Sequence, residues 1–238
     1  MESQTIPPRN EGMYLRLEKA SHAGDLEELR QLLQEDGLLL HWPDTLHPAD
    51  SPLHIAAALG HAHFVKEILA RKPECALGFN TQGLTALHLA CANGHSLVVR
   101  ELLQSSIGVE ICCVRDRYGL LPIHTAALTG NVPVLEELLG ACSEDVVRGL
   151  TCLGDSILHL VVKSNSFEAV KFLVERLESC HHELLSLRDA KGNTILHLAT
   201  ARKQLQVEYI FIFNSFLLYS SISFLSSCKL GSIENHEN

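Results

Sequence analysis

Apolar residues recur with helical spacing in several separate segments of this chain. FVKEILA at 64–70, LVVRELL at 97–103 and VLEELL at 134–139 place apolar side chains three and four positions apart, which is typical of a helix with one buried face. Another kind of segment precedes each of them, rich in small and apolar residues and closed by a glycine, as in SPLHIAAALG from Ser51 to Gly60. The alternation predicts pairs of helices joined by tight turns, and therefore an all-α chain.

The same order of residues returns along the chain at a nearly constant interval. SPLHIAAALGHAHFVKEILA begins at residue 51, TALHLACANGHSLVVRELLQ at 85 and LPIHTAALTGNVPVLEELLG at 121, and two more divergent copies begin at 156 and 194. Successive copies lie 34 to 38 residues apart when they are aligned on their histidine, a period that indicates stacked helical repeats. The aligned histidines are His54, His88, His124, His159 and His197.

The copies resemble ankyrin repeats, whose signature is Thr-Pro-Leu-His-x-Ala-Ala followed by Gly-His and a second apolar helix. The match is closest from Ser51 to Ala57, with Gly60-His61 after the first helix. The resemblance covers about residues 13–206 and implies an ankyrin-repeat solenoid of about six helix-turn-helix units joined by β-hairpin-like loops. We expect a flexible N-terminus at 1–12, repeats near 13–36, 50–70, 83–104, 119–140, 154–178 and 192–206, and an atypical hydrophobic, then polar, tail at 207–238.

The repeated positions have structural interpretations. Ser51 and Thr85 precede a predicted helix, where a side-chain oxygen can accept a hydrogen bond from a free backbone N–H. The glycines at 60, 94 and 130 suit a left-handed helix end. A neutral histidine ring donates from one nitrogen and accepts at the other, and the resemblance implies that the aligned histidines link neighbouring loops. The sequence therefore predicts structural roles for these residues: His54, His88, His124, His159, His197, Gly60, Gly94 and Gly130.

No residue of the chain is predicted to be catalytic or to bind a cofactor or metal. The sequence has no phosphate-binding loop, no nucleophile elbow and no H-E-x-x-H motif. Its eight cysteines form no C-x-x-C pair, a distribution that suits reduced thiols. The formal net charge is −9 and no basic run occurs, which argues against nucleic-acid binding. A hydrolase or metalloenzyme is the disfavoured alternative to a binding protein.

Composition changes abruptly near Val207. From Tyr209 to Cys228 the chain has 20 residues without a charge, with many aromatic residues and serines. A segment of this length is enough to span a bilayer as a helix, whereas its serine, phenylalanine and isoleucine content favours a strand or an aggregate. Three interpretations stay open: a tail unrelated to the fold, a marginal membrane span, or a helix that completes the sixth repeat.

The chain is similar to a plant group of membrane-anchored ankyrin proteins that includes the bian-da and accelerated-cell-death types. The residues that carry this resemblance are HAGDLEELRQLLQED at 22–36, DSPLHIAAALGHAHFVKEILARKPECA at 50–76 and GNTILHLATARKQLQ at 192–206. The resemblance implies defence or stress signalling at the plasma membrane, with a C-terminal transmembrane domain that opens on Pro-Gly-Gly. That motif does not follow Gln206, so we expect a shortened form, cytoplasmic or membrane-associated, and as an alternative a soluble competitor of an anchored relative.

Other proteins are the expected partners. In a solenoid the extended concave face usually binds them, and here hairpin tips and first helices would form it. Tyr and Arg are enriched at the centres of binding surfaces, which singles out Arg117 and Tyr118. The predicted partner-binding residues are Gln82, Arg117, Tyr118, Lys191 and Asn193.

Overall fold

The computed structural model describes residues 8–40, 50–177 and 182–211, and within these ranges the backbone forms helices and turns but no β-strand. The helices come in pairs that follow the sequence period. In chain order they are α1 Pro8–Ala23, α2 Leu26–Glu35, α3 Pro52–Leu59, α4 Ala62–Arg71, α5 Ala86–Asn93, α6 Ser96–Leu103, α7 Gly108–Cys112, α8 Pro122–Thr129, α9 Val132–Ala141, α10 Glu144–Val147, α11 Ile157–Ser164, α12 Phe167–Leu177, α13 His182–Ser186 and α14 Ile195–Ala201, with a 3-10 helix at Pro73–Leu77.

The helices stack in two columns. The first helices of the repeats form an inner column, in which α1, α3, α5, α8, α11 and α14 contact one another in that order. The second helices, α2, α4, α6, α9 and α12, form an outer column in the same way. The predicted all-α repeat solenoid is confirmed.

Small side chains allow the inner helices to pack closely. Ala56 and Ala57 of α3, Ala90 of α5 and Ala126 and Ala127 of α8 have no solvent-exposed surface. A larger residue at these positions would hold neighbouring helix backbones apart, because protein interiors are already close-packed. The alanine-rich pattern of the sequence is thus the cause of the tight stacking.

Side-chain oxygens cap most of the inner helices. Thr85 Oγ1 accepts a hydrogen bond from the backbone N–H of His88 at 3.4 Å, and Pro52 occupies the first turn of α3 after its cap Ser51, where no N–H is needed. Leu121 has no side-chain acceptor, and the backbone N–H of His124 donates instead to the carbonyl oxygen of Leu121 at 2.9 Å. The histidine also accepts a bond in α8, as it does in the capped repeats. The backbone N–H of Leu121 donates to Nδ1 of His124 at 3.2 Å.

Four tight turns, which we call the fingertips, precede α5, α8, α11 and α14 at residues 80–83, 116–119, 151–154 and 189–192. At the second fingertip, Oδ1 of Asp116 accepts the N–H groups of Tyr118 and Leu120, both at 2.8 Å. Gly119 closes the turn with a φ of 76°, which L-residues rarely adopt. The loops are therefore held by side-chain-to-backbone bonds and by single backbone pairs such as Asp116 N–H to Leu120 O at 2.9 Å.

The structure differs from the sequence prediction at both predicted domain boundaries. Helix α1 begins at Pro8, inside the segment 1–12 that was expected to precede the array. Helical backbone also runs from 205 to 211, and Val207 and Phe211 lie in the core with 4% of their surface exposed. The array therefore continues past the predicted boundary at 207 because these two side chains pack against it.

Most of the uncharged segment 209–228 lies outside the described residues. In the parts of the chain that the structure describes, no helix has both the length and the apolar content needed to cross a bilayer.

Candidate partner-binding surface

His88 lies at the junction of two repeats and is fully buried. Its Nε2 is 3.0 Å from the carbonyl oxygen of Leu120 in the next fingertip loop, and its Nδ1 is 2.8 Å from Oγ1 of Thr85. A carbonyl can only accept, so Nε2 carries the proton and Nδ1 accepts from the threonine hydroxyl. Both ring nitrogens are occupied, which leaves neither of them for a metal ion or for proton transfer.

The equivalent histidines are placed in the same way. His54 Nε2 bonds to the carbonyl oxygen of Gly78 at 3.2 Å, and His124 Nε2 to that of Gly149 at 2.9 Å. His159 Nε2 lies 3.2 Å from the carbonyl oxygen of Asn193. His197 is exposed and keeps the local bond, with Nδ1 2.7 Å from Oγ1 of Thr194.

Burial sets the protonation of the enclosed rings. Desolvation lowers the pKa of these histidines because it disfavours the charged imidazolium, and the carbonyl acceptors and nearby carboxylates oppose the shift only in part. Rings of this kind stay neutral at physiological pH and serve as hydrogen-bonded links between repeats. The histidines with a lowered pKa are His54, His88, His124 and His159.

Two features require glycine at the ends of the inner helices, a left-handed backbone and the close approach of a side chain from the next repeat. Gly60, Gly94 and Gly130 have φ angles of 84°, 76° and 66°, as the sequence predicts for left-handed helix ends. A side chain from the following repeat also approaches each of them. A Cβ on Gly60 would lie 2.8 Å from Nδ1 of His95, and one on Gly94 would lie 2.5 Å from Nδ2 of Asn131. The second reason depends on contacts between repeats and has no signal in the local sequence.

The fingertips touch one another and form one continuous edge, which we call the fingertip edge. The N–H of Arg117 donates to the carbonyl oxygen of Gly83 at 3.3 Å. The thiol of Cys152 contacts the carbonyl oxygen of Tyr118 at 3.5 Å. The N–H of Ala190 donates to the carbonyl oxygen of Leu153 at 2.9 Å. Each fingertip is thereby held in register with the next.

Arg117 and Tyr118 form the most prominent group on this edge. The guanidinium carbon of Arg117 lies 5.1 Å from the centre of the Tyr118 ring, within the range of a cation–π contact. The Tyr118 side chain is nevertheless 63% exposed. An exposed ring that is already oriented by its neighbour can bind a partner with little loss of side-chain entropy.

The other predicted binding residues fall into two groups. Gln82 and Lys191 are exposed at the first and last fingertips. Asn193 is half-buried, and its Nδ2 donates to Oδ2 of Asp189 at 3.2 Å while its carbonyl accepts the His159 ring. The structure thus brings Gln82, Arg117, Tyr118 and Lys191 onto the fingertip edge and gives Asn193 a role inside its own loop.

Sequence reasoning did not single out two further features of this surface. Leu153 is 66% exposed and holds the fingertip position that Tyr118 holds one repeat earlier, so alignment of the turns could have found it. Nζ of Lys163 lies 2.6 Å from Oδ1 of Asp155, which joins the end of α11 to its fingertip. That ion pair has no sequence signal, because the two residues are eight positions apart on different elements.

The described residues contain no group of three or more His, Cys, Asp or Glu side chains that could hold a metal ion. Burial raises the pKa of the Cys75 thiol to about 11 and raises that of Cys91 further, so both thiols are protonated and poorly nucleophilic. The side chains exposed on the fingertip edge are polar, cationic or apolar, as at Gln82, Arg117 and Leu153.

Comparisons with known proteins agree with this geometry. A family profile of ankyrin repeats in three copies matches residues 17–115, 53–148 and 123–214. The chain is 27% identical over 150 residues to the Saccharomyces cerevisiae protein "Probable 26S proteasome regulatory subunit p28", across 63% of this chain and 64% of the relative. It is 31% identical over 80 residues to the human NF-kappa-B inhibitor alpha, across 33% of this chain and 25% of the relative.

In both cases the chain spans less than two thirds of the relative's length. Among solved structures, the ankyrin repeat domain of Bcl-3, a member of the IkappaB protein family, superposes with a TM-score of 0.71 at 24% identity. The alignment covers 84% of this chain and 85% of that domain. At this identity the likeness establishes the fold.

Proposed function

Because the chain belongs to the ankyrin-repeat family, we propose that it is a non-enzymatic scaffold that binds another protein across its concave face, the fingertips together with the ends of the inner helices. Proteins built from ankyrin repeats act as interaction modules. The observation that supports this assignment is the continuous fingertip edge, on which Arg117 and Tyr118 are exposed and oriented. The buried histidines His54, His88, His124 and His159 are instead engaged in linking repeats.

We further propose that the scaffold acts in plant defence or stress signalling, in the cytoplasm or at the plasma membrane. The support is the resemblance of 22–36, 50–76 and 192–206 to membrane-anchored plant ankyrin proteins. A specific alternative role is that of a soluble competitor, which would bind the partners of an anchored relative without signalling. The segment from Tyr209 to Cys228 decides between these two roles, because it would act as a membrane anchor only in the first.

Binding assays with matched variants test the scaffold role. A partner is first captured from plant extract with the full chain and identified, and its affinity is then measured by calorimetry for the chain, for Tyr118→Ala and for Leu97→Ala. Leu97 lies on outer helix α6 with 61% of its surface exposed, close to the exposure of Tyr118. We expect the affinity of Tyr118→Ala to be at least tenfold weaker than that of the unchanged chain. The affinity of the control Leu97→Ala should be unchanged. Equal affinities for the two variants would contradict the assignment of the binding face.

Fractionation tests the location. The full chain and a version ending at Gln206 are expressed in plant cells, and membranes are extracted with alkaline carbonate and then with detergent. An anchored scaffold predicts that only the full chain resists carbonate and dissolves in detergent. A soluble competitor predicts that both versions stay in the soluble fraction.

A further inference from the structure

Charge is distributed unevenly over the positions that form the proposed binding face. We consider two sets of positions. One set is the two residues of each inner helix that follow the positions aligned with Ala56 and Ala57 of α3, and the other is the fingertip residues. In the second and third repeats the described positions of this kind are uncharged: Ala58, Leu59, Asn80, Thr81, Gln82, Gly83, Ala92 and Asn93. In the fourth to sixth repeats they include four cations and two anions: Arg117, Lys163, Lys191 and Arg202, with Asp116 and Asp189. A third anion, Asp155, directly follows the fingertip at 151–154.

The three carboxylates at or beside these positions, Asp116, Asp155 and Asp189, are engaged within the fold. Asp155 is 3% exposed and is paired with Lys163. Asp116 and Asp189 are buried at the bases of their fingertips and accept backbone N–H groups of their own turns. These carboxylates therefore cannot turn outward to neutralise the surface without breaking a fingertip.

Three of the cations have no carboxylate partner. Within the described residues no ion pair joins Arg117, Lys191 or Arg202 to an acidic side chain. Arg202 uses one nitrogen to donate to the carbonyl oxygen of Lys163 at 2.9 Å, and Arg117 lies over Tyr118. Their positive charge is exposed on a chain whose formal net charge is −9, so the long-range field around the rest of the molecule has the opposite sign.

Apolar side chains lie among these charges. Tyr118 and Leu153 project from adjacent fingertips with 63% and 66% of their surface exposed, and the fingertips that carry them are in direct contact. Leu128, in the last turn of α8, is 42% exposed. Cations around a small apolar patch favour a partner with the complementary arrangement.

We propose that the face formed by the fourth to sixth repeats recognises an acidic protein segment that carries an apolar anchor side chain. Carboxylates of the partner would pair with Arg117, Lys191 and Arg202, and the anchor would pack against Tyr118 and Leu153. The inference rests on the proposed scaffold function and specifies its partner class. Because the chain as a whole is acidic, with a formal net charge of −9, an acidic segment is attracted where unpaired cations are concentrated.

Peptides of defined charge test the inference. The probes are fluorescein-labelled peptides of repeated Glu-Glu-Leu units and of repeated Gln-Gln-Leu units, measured by fluorescence anisotropy against the full chain. We expect the glutamate peptide to bind at least tenfold more tightly than the glutamine peptide, and the difference to shrink as salt is raised. Equal binding of the two peptides, or no binding of either, would overturn the inference.

Charge-reversed variants locate the site. Arg117→Glu with Lys191→Glu should reduce glutamate-peptide affinity at least tenfold, whereas Lys66→Glu with Lys171→Glu, the same charge change on outer helices, should leave it within about twofold. Thermal melting shows that each variant is folded. An equal loss in both pairs would overturn the inference, because it would show only a response to net charge.

The two proposals can fail separately. If a captured partner binds through Tyr118 but the glutamate peptide does not compete with it, the acidic-segment inference is wrong and the scaffold assignment stands. If mutation of Tyr118 leaves partner affinity unchanged, the assignment of the face fails.

Discussion

At the residue scale, the buried histidines make the stability of the array depend on pH. Their pKa values are lowered in the folded chain because burial disfavours the imidazolium, whereas in the unfolded chain the ordinary value of 6.5 applies. Below pH 6.5 the unfolded chain thus binds more protons than the folded one, and the free energy of unfolding falls. The contribution of the neutral buried histidines to stability is fully present above pH 6.5. It is lost as the pH falls towards the lower pKa of the folded state.

We expect urea denaturation to show a lower free energy of unfolding at pH 5.5 than at pH 7.5. His88→Gln should weaken this pH dependence, because it removes one buried titrating ring, although it also lowers stability at both pH values. Leu87→Ala is the control, since it removes a buried side chain and keeps every histidine. If His88→Gln and Leu87→Ala have the same pH dependence, the histidines are not its source.

Glycine positions give a second residue-scale prediction. Gly192→Ala meets no atom within 4 Å and should cost only the left-handed backbone penalty of about 1–2 kcal/mol. Gly94→Ala should cost more, because its Cβ would lie 2.5 Å from Nδ2 of Asn131. Displacing that side chain would break its cap on Val134, which is worth about 1 kcal/mol. Chemical denaturation that ranks Gly192→Ala as equally or more destabilising would contradict this account.

At the element scale, local chemistry made most of the fold predictable. The cap at Thr85, the alanine pair of α3 and the glycine after each inner helix all act within one helix and its ends, so the sequence carries them directly. The surface could be predicted only in part. The fingertip pattern identified Arg117 and Tyr118, whereas the pairing of Lys163 with Asp155 and the inward role of Asn193 depend on how neighbouring elements meet.

The helical segment at 205–211 was missed because its composition is ambiguous. Tyrosine, isoleucine and phenylalanine favour strands when they are considered alone. Burial against the preceding repeat overrides that preference, since Val207 and Phe211 are four positions apart and lie on the same side of a helix. The three interpretations concern Tyr209 to Cys228, most of which lies outside the described residues, so they stay open.

Truncating one side chain in that segment tests its place in the array. Phe211→Ala should lower the free energy of unfolding by about 3 kcal/mol, the cost of removing a buried aromatic side chain. Tyr209→Ala, two positions away with 68% of its surface exposed, should have a much smaller effect. If thermal and urea unfolding show equal losses for the two variants, the helix does not belong to the folded array.

At the scale of the whole molecule, the two columns of helices differ in how their charges are paired. The outer column is joined by ion pairs between successive repeats, Arg30 with Glu67, Lys66 with Glu101 and Arg100 with Glu137. These pairs are partly exposed and contribute little to stability individually. The charges of these pairs are matched within the protein. On the fingertips and inner helix ends, by contrast, no ion pair within the described residues joins Arg117, Lys191 or Arg202 to a carboxylate.

The central claim is that this surface, and not the outer column, meets the partner protein. The most direct measurement is site-specific photocrosslinking in plant cells, with a photoreactive amino acid placed at Tyr118 in one chain and at Leu97 in another. The two positions have nearly equal exposure, 63% and 61%, so chance encounters affect them alike. We expect a discrete crosslinked protein from position 118 and none from position 97. The reverse pattern would show that the partner binds the outer column.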